Sequence, residues 1–115
     1  MIEQKSLVLA FVGDAVQTLF VREALVKRDC KVSELHTLAS KIVCARAQAK
    51  RLDEIFDTLT EEERDIATRA RNAQHNTVPK NCTIADYHKA TALEAVIGFN
   101  YLAGNIERVK EIIKC

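Results

Sequence analysis

Apolar residues recur at helical spacing through the first fifth of the chain, and Asp14 is the only ionisable residue between Ser6 and Val21. This pattern predicts one long helix, which Asp29 and Cys30 end. Because apolar residues also fill much of the opposite face, we expect a central helix rather than a surface one. The main stripe is Leu7, Val8, Phe11, Val12, Ala15, Val16, Leu19 and Phe20, and the opposite face carries Leu9, Ala10 and Val21.

The middle of the chain carries two further amphipathic patterns. The first predicts a helix that Ser33 caps and that runs through residue 55, bent or broken between residues 45 and 52. The second opens at Thr60, where Glu63 stands at the right spacing for a capping box. It predicts a short helix that ends at about Ala73.

The last third of the chain predicts a loop and two helices. Residues 72–81 hold the only proline and show no helical periodicity, which indicates a loop. Thr83 is then expected to cap a long helix through Leu102, Gly104 to close it, and Asn105 to cap a final helix. No segment shows the alternation of a strand, so the sequence predicts an all-α helical bundle.

Each of the two most apolar helices contains a single acid. Asp14 stands alone in the first, and Glu94 is the only charged residue from position 90 to 106. An unpaired buried carboxylate costs on the order of several kcal/mol, so a compensating partner is expected. It could be a Lys or Arg from elsewhere, a proton held at a raised pKa, or a shared divalent cation, unless the acids lie on exposed helix edges. Gly13 and Gly98 leave room beside them for a backbone, a metal or a substrate.

Size, charge and cysteine content narrow the class of protein. A chain of 115 residues predicts a single domain spanning residues 1–115, and 48% apolar with 29% charged residues excludes a disordered protein. The net charge of +1 gives no overall field that would attract nucleic acid or anionic lipid. Four dispersed cysteines indicate reduced thiols and a cytoplasmic location. The apolar run is too short to span a bilayer, and no signal peptide is indicated.

Two segments resemble the signature segments of the ribonuclease III catalytic domain. They are FVGDAV at residues 11–16 and ALEAVIGFNYL at residues 92–102, and the resemblance places Asp14 and Glu94 on the family's two metal-binding catalytic acids. A third segment, RARNAQHNTVPKN at residues 69–81, is followed by YHKATALEA at residues 87–95. Together they look like Mini-ribonuclease III, the short bacterial branch without a double-stranded RNA-binding domain.

The resemblance implies a homodimeric, Mg²⁺-dependent endoribonuclease. Asp14 and Glu94 would hold the ion, and water would cleave double-stranded RNA to leave 5′-phosphate and 3′-hydroxyl ends. The implied substrate is the precursor of 23S ribosomal RNA, with a ribosomal protein presenting it. Arg69, Arg71 and Lys80 are the expected RNA contacts, because they flank the predicted loop and match the third segment. The other basic cluster is expected to be a solvated helix face; it comprises Lys41, Arg46, Lys50 and Arg51.

The sequence also departs from the wider family. Ala10 and Thr91 stand where that family has two further acids, although the Mini-ribonuclease III branch is similar to this chain at both positions. His88 stands where the branch prefers Arg, and neither His75 nor His88 is assigned as a general acid. These departures leave open a non-catalytic, RNA-binding or ribosome-associated scaffold of the same fold. A helical protein-interaction subunit that never meets nucleic acid is the rival from a different class.

Overall fold

The computed structural model describes residues 2–73 and 80–114, and the described side chains begin at Lys5. These residues contain helices and no strand, so the predicted all-α fold is confirmed. The predicted loop falls largely on residues 74–79, which lie outside the described residues. The helices are α1 (Ile2–Leu25), α2 (Val32–Val43), α3 (Ala45–Ile55), α4 (Glu61–Asn72), α5 (Ile84–Leu102) and α6 (Ile106–Ile113), with a 3₁₀ turn at Phe56–Thr58.

Helix α5 lies at the centre of the bundle and packs against α1, α3, α4 and α6. Its residues Leu93, Val96 and Ile97 are fully buried, as expected for a helix whose apolar residues occupy every face. Val21 of α1 and Val109 of α6 complete the same core. Burial of this apolar surface is what holds the short outer helices in place.

Helix α1 is less central than its sequence predicts. One side packs on α5, but Val8, Phe11 and Leu19 are 54%, 80% and 59% exposed. These three residues lie on one apolar face of α1 that no described residue covers, which is unusual for large apolar side chains that follow one another along a helix. None of the helices in the described residues combines the length and the apolarity needed to cross a bilayer.

The capping box at the start of α4 is confirmed and belongs to a larger network. The Thr60 hydroxyl accepts from the Glu63 backbone, and the Glu63 carboxylate accepts from the Thr60 backbone. Glu63 is buried, and Arg108 of α6 binds both its oxygens at 3.0 and 2.8 Å, while Asn100 of α5 donates at 2.8 Å. Burial alone would raise the pKa of Glu63, but Arg108, Thr60 and Asn100 lower it to about 2. The network ties α4, α5 and α6 together.

Predicted helix ends agree with the structure in part. Thr83 caps α5 through the Asp86 backbone, and Gly104 takes the left-handed conformation just after α5. The cap predicted at Ser33 is wrong, because Lys31 occupies the cap position of α2. Asn105 occupies the cap position of α6 as predicted, but its side chain forms no capping hydrogen bond. The break in the second predicted helix comes at Cys44, one residue before the predicted interval, because that residue has extended backbone angles.

The prediction that Arg51 belongs to a solvated helix face is also wrong. Its guanidinium donates through Nε to the carbonyl of Ile112 and through Nη2 to that of Glu111, both at 2.9 Å. These carbonyls lie in the last turn of α6, where backbone acceptors lack partners within the helix. Arg51 therefore caps α6 from α3, and no periodicity in the sequence signals such a contact.

Candidate active site

Two glycines bring the acid-bearing segments of α1 and α5 together. A Cβ atom added at Gly13 would overlap the carbonyl oxygen of Glu94, and one added at Gly98 would overlap that of Leu9. The two backbones therefore cross at a distance that only glycine permits. The predicted space beside each acid is filled by the other helix, and Asp14, next to Gly13, reaches Glu94 although 80 positions separate them.

The electrostatics of the pair show how close the two carboxylates are. Glu94 is half-buried at the crossing, and Asp14 lies at its exposed edge. Burial raises the pKa of Glu94, and the negative charge of Asp14 and a hydrogen bond with it raise it further, to about 8, although a hydrogen bond from Gln48 opposes the shift. At neutral pH Glu94 therefore retains its proton unless a nearby positive charge compensates the carboxylate.

Basic side chains do not provide that compensation among the described residues. The ion pairs found there involve neither Asp14 nor Glu94. Two carboxylates without a basic partner are the ligand type that Mg²⁺ prefers. Nevertheless, no group of three or more His, Cys, Asp or Glu converges within the described residues, so the protein would supply two acidic ligands. Mg²⁺ accommodates this number because it keeps several waters and also binds substrate phosphates.

Two buried glutamines stand behind Glu94, and sequence analysis did not identify them. Gln48 of α3 donates from Nε2 to Glu94 Oε2 at 3.2 Å and to Gln17 Oε1 at 2.5 Å. Both glutamines are 4% exposed. Gln17 gives a weak signal, since it is polar within an apolar helix and one turn after Asp14. Gln48 gives none, because its partners lie 31 and 46 positions away.

Ala10 and Thr91, which stand where the wider family has two further acids, are both buried in the bundle. Ala10 lies in a small buried cluster with Ala70 of α4 and Ala95 of α5. Thr91 is 7% exposed, and its hydroxyl donates to the Tyr87 carbonyl at 3.0 Å. Since neither position has an open space in front of it, the candidate site rests on Asp14 and Glu94.

The predicted RNA contacts lie at the end of α4 and after it. Ala70 packs with Ala10 of α1 and Ala95 of α5, and Arg69 and Arg71 stand on either side of it in the sequence. Arg69 forms an ion pair with Asp65 at 2.9 Å, and Arg71 lines a groove between α3, α4 and α5. Lys80 is exposed and is the first residue described after the gap.

Neither histidine gains a role from the structure. His75 lies outside the described residues, and His88 is half-buried with its ring centroid 6.1 Å from that of Tyr87. His88 precedes Glu94 by six positions, which places it on another side of α5.

The all-α bundle, with one acid on each of two crossing core helices, fits the resemblance of residues 11–16 and 92–102 to the ribonuclease III catalytic domain. The family profile described as "Ribonuclease III domain" matches residues 7–105, and the chain belongs to this family. Within it, the chain is 46% identical to Mini-ribonuclease 3 of Thermoanaerobacter sp. (strain X514) over 94% of its own length and 77% of that protein.

Other relatives agree with this placement. Mini-ribonuclease 3 of Brevibacillus brevis is 45% identical, with 94% of this chain and 81% of that protein covered. A crystal structure of a protein from Fusobacterium nucleatum superposes with a TM-score of 0.90 at 37% identity, covering 95% of this chain and 88% of that one. The protein is therefore an endoribonuclease of a family that acts on double-stranded RNA.

Proposed function

We propose that the chain is a Mg²⁺-dependent endoribonuclease in which Asp14 and Glu94 hold the metal ion and that it matures the ends of 23S ribosomal RNA precursor. One observation carries the proposal: two carboxylates from separate helices meet without a basic partner in the described residues. Burial and the charge of Asp14 raise the pKa of Glu94 to about 8, so the ionised form of Glu94 is disfavoured. A protein gains nothing in stability from this arrangement. A divalent cation would compensate both charges.

The chemistry at this site follows from the state of the two acids. A bound divalent ion supplies Lewis-acid stabilisation of the phosphate and a nucleophilic water near neutral pH. Asp14 and Glu94 can bind the ion only when both are ionised. Because the pKa of Glu94 is raised to about 8, cleavage at limiting Mg²⁺ should increase as the pH rises towards that value.

We further propose a homodimer formed through the apolar face of α1. Val8, Phe11 and Leu19 expose more than half of their surface and lie on the same helix as Asp14. A two-fold axis through this face would bring two active sites to one duplex, which suits an enzyme that cuts both strands. Burial of these side chains supplies the driving force for association.

Local basic groups support binding of the RNA backbone. Arg69, Arg71 and Lys80 extend from the end of α4 and the segment after it, and phosphate contacts do not require a high net charge. A-form duplex is recognised mainly by its shape, phosphates and 2′-hydroxyls, so the isolated protein should show limited sequence preference. A ribosomal protein bound to the precursor would then help select the site of cleavage in the cytoplasm.

The test is cleavage of duplex RNA by the purified protein with and without Mg²⁺. Asp14→Asn should abolish cleavage and preserve the fold, whereas Glu23→Gln, which removes an exposed acid from the same helix, should leave cleavage unchanged. Cleavage that Asp14→Asn retains would refute the assignment of the site. Binding of duplex without cleavage by the unaltered protein would favour the scaffold.

A further inference from the structure

The buried glutamine pair requires an explanation beyond packing. Gln17 and Gln48 are both 4% exposed, and burial of an amide is costly unless its hydrogen bonds are satisfied. Gln48 Nε2 has two hydrogens and two acceptors, Gln17 Oε1 at 2.5 Å and Glu94 Oε2 at 3.2 Å. The contact with Gln17 fixes the orientation of the amide, so that its second hydrogen points at the carboxylate.

We propose that Gln48 is a positioning residue that holds Oε2 of Glu94 against α3 and leaves Oε1 for the ion shared with Asp14, while Gln17 fixes the orientation of Gln48. This inference rests on the proposed metal site. Residues that hold metal ligands in place are commonly hydrogen-bonded in this way, and they influence metal affinity without touching the metal.

The absence of charge on the Gln48 side chain supports its role in positioning Glu94. Helix α3 is basic, with Arg46, Lys50 and Arg51 close to Gln48 in sequence, yet the side chain that contacts Glu94 is an amide. A lysine or arginine at this place would form an ion pair with Glu94 and would compete with a cation for the carboxylate. An amide donates a hydrogen bond and leaves the negative charge available.

The test compares Gln48→Met with Thr91→Val in the full chain, using Mn²⁺ alone as the probe in titration calorimetry. Methionine fills a volume similar to that of glutamine but cannot donate, so Gln48→Met should weaken Mn²⁺ affinity by about 10- to 100-fold. Thr91→Val removes a buried hydroxyl from α5 that binds a backbone carbonyl and neither acid. It should leave Mn²⁺ affinity unchanged, and the metal-free melting temperature of each variant reports any effect on folding.

The outcomes separate this inference from the proposed site. If Asp14→Asn abolishes Mn²⁺ binding but Gln48→Met binds as the unaltered protein does, the positioning role is refuted and the metal site stands. If Gln48→Met and Thr91→Val weaken Mn²⁺ affinity equally, the positioning role of Gln48 is also refuted. If Asp14→Asn retains full affinity, the metal site itself is wrong. Should Gln48→Met fail to fold, Gln17→Met replaces it: weaker Mn²⁺ binding supports the inference, and unchanged binding overturns it.

Discussion

Replacement of Glu94 by glutamine tests the electrostatic account of the site most directly. The substitution removes the charge and keeps an oxygen that can accept from Gln48 and an amide that can donate to Asp14. In the folded protein the pKa of Glu94 is raised from 4.5 to about 8, first by burial and then by Asp14. Glu94→Gln should therefore abolish metal-dependent cleavage and stabilise the metal-free protein at neutral pH.

The pKa values set the sign and the size of the effect. Below pH 4.5 the carboxyl is protonated in both folded and unfolded chains and the shift has no effect on stability. As the pH rises towards 8, the unfolded chain loses the proton before the folded one, so stability falls. At 1.36 kcal/mol for each pKa unit, the cost at pH 7 is about 3 kcal/mol. This is an upper value, because Glu94 is only partly buried and solvent weakens its interaction with Asp14.

The assay is chemical denaturation with a chelator present, on the unaltered protein and Glu94→Gln, at pH 5 and pH 8. The free energies of unfolding should nearly agree at pH 5, and the variant should be more stable by a few kcal/mol at pH 8. Added Mg²⁺ should stabilise only the unaltered protein. Glu23→Gln is the control for loss of an exposed acid. A variant less stable than the unaltered protein at pH 8, or a difference independent of pH, would refute the reasoning.

Four further substitutions test the fold and the proposed interfaces. Gly13→Ala should cost at least about 3 kcal/mol in thermal unfolding, because its Cβ would overlap the Glu94 carbonyl and force α1 away from α5; an alanine variant of normal stability would contradict that close crossing. Arg51→Met should cost about 1.5 to 3 kcal/mol and lower the hydrogen-exchange protection of α6, and unaltered exchange would show that the helix end needs no cap from α3. Phe11→Glu should convert the proposed dimer to a monomer in light scattering with little effect on monomer stability, since the side chain is 80% exposed; a persistent dimer would place the interface elsewhere. Lys80→Ala should weaken duplex binding and reduce the slope of log affinity against log salt concentration by about 1, and an unchanged slope would exclude a phosphate contact.

Local signals in the sequence were sufficient for much of the fold. Periodic apolar residues located α1 and α5, and the capping residues Thr60 and Thr83 located the starts of α4 and α5. Helix caps and apolar periodicity depend on residues that are close together in the sequence, so a single sequence is enough to recognise them. The cap predicted at Ser33 was wrong, because a residue type that often caps a helix also occurs elsewhere in turns and helix starts.

The candidate site was only partly accessible to the same reasoning. Single acids in apolar helices drew attention to Asp14 and Glu94, since an uncompensated carboxylate is conspicuous there. Gln48 and Arg51 were not recognised, because their roles depend on contacts between helices that are distant in sequence. The basic residues of α3 suggested a solvated surface instead. In the structure Gln48 donates to the carboxylate of Glu94, and Arg51 binds backbone carbonyls at the end of α6.

The glycine contact connects the stability of the bundle to its chemistry. If α1 and α5 were separated by ordinary side chains at positions 13 and 98, each acid would be better hydrated and Glu94 would titrate closer to its ordinary pKa. Close crossing removes that hydration and adds the repulsion of Asp14, which disfavours the doubly charged pair in the absence of a cation. The same proximity allows one divalent ion to contact both carboxylates. Hence an alanine at position 13 should lower Mn²⁺ affinity even where the helices still fold, because the distance between the acids is set by the backbones rather than by the acids themselves.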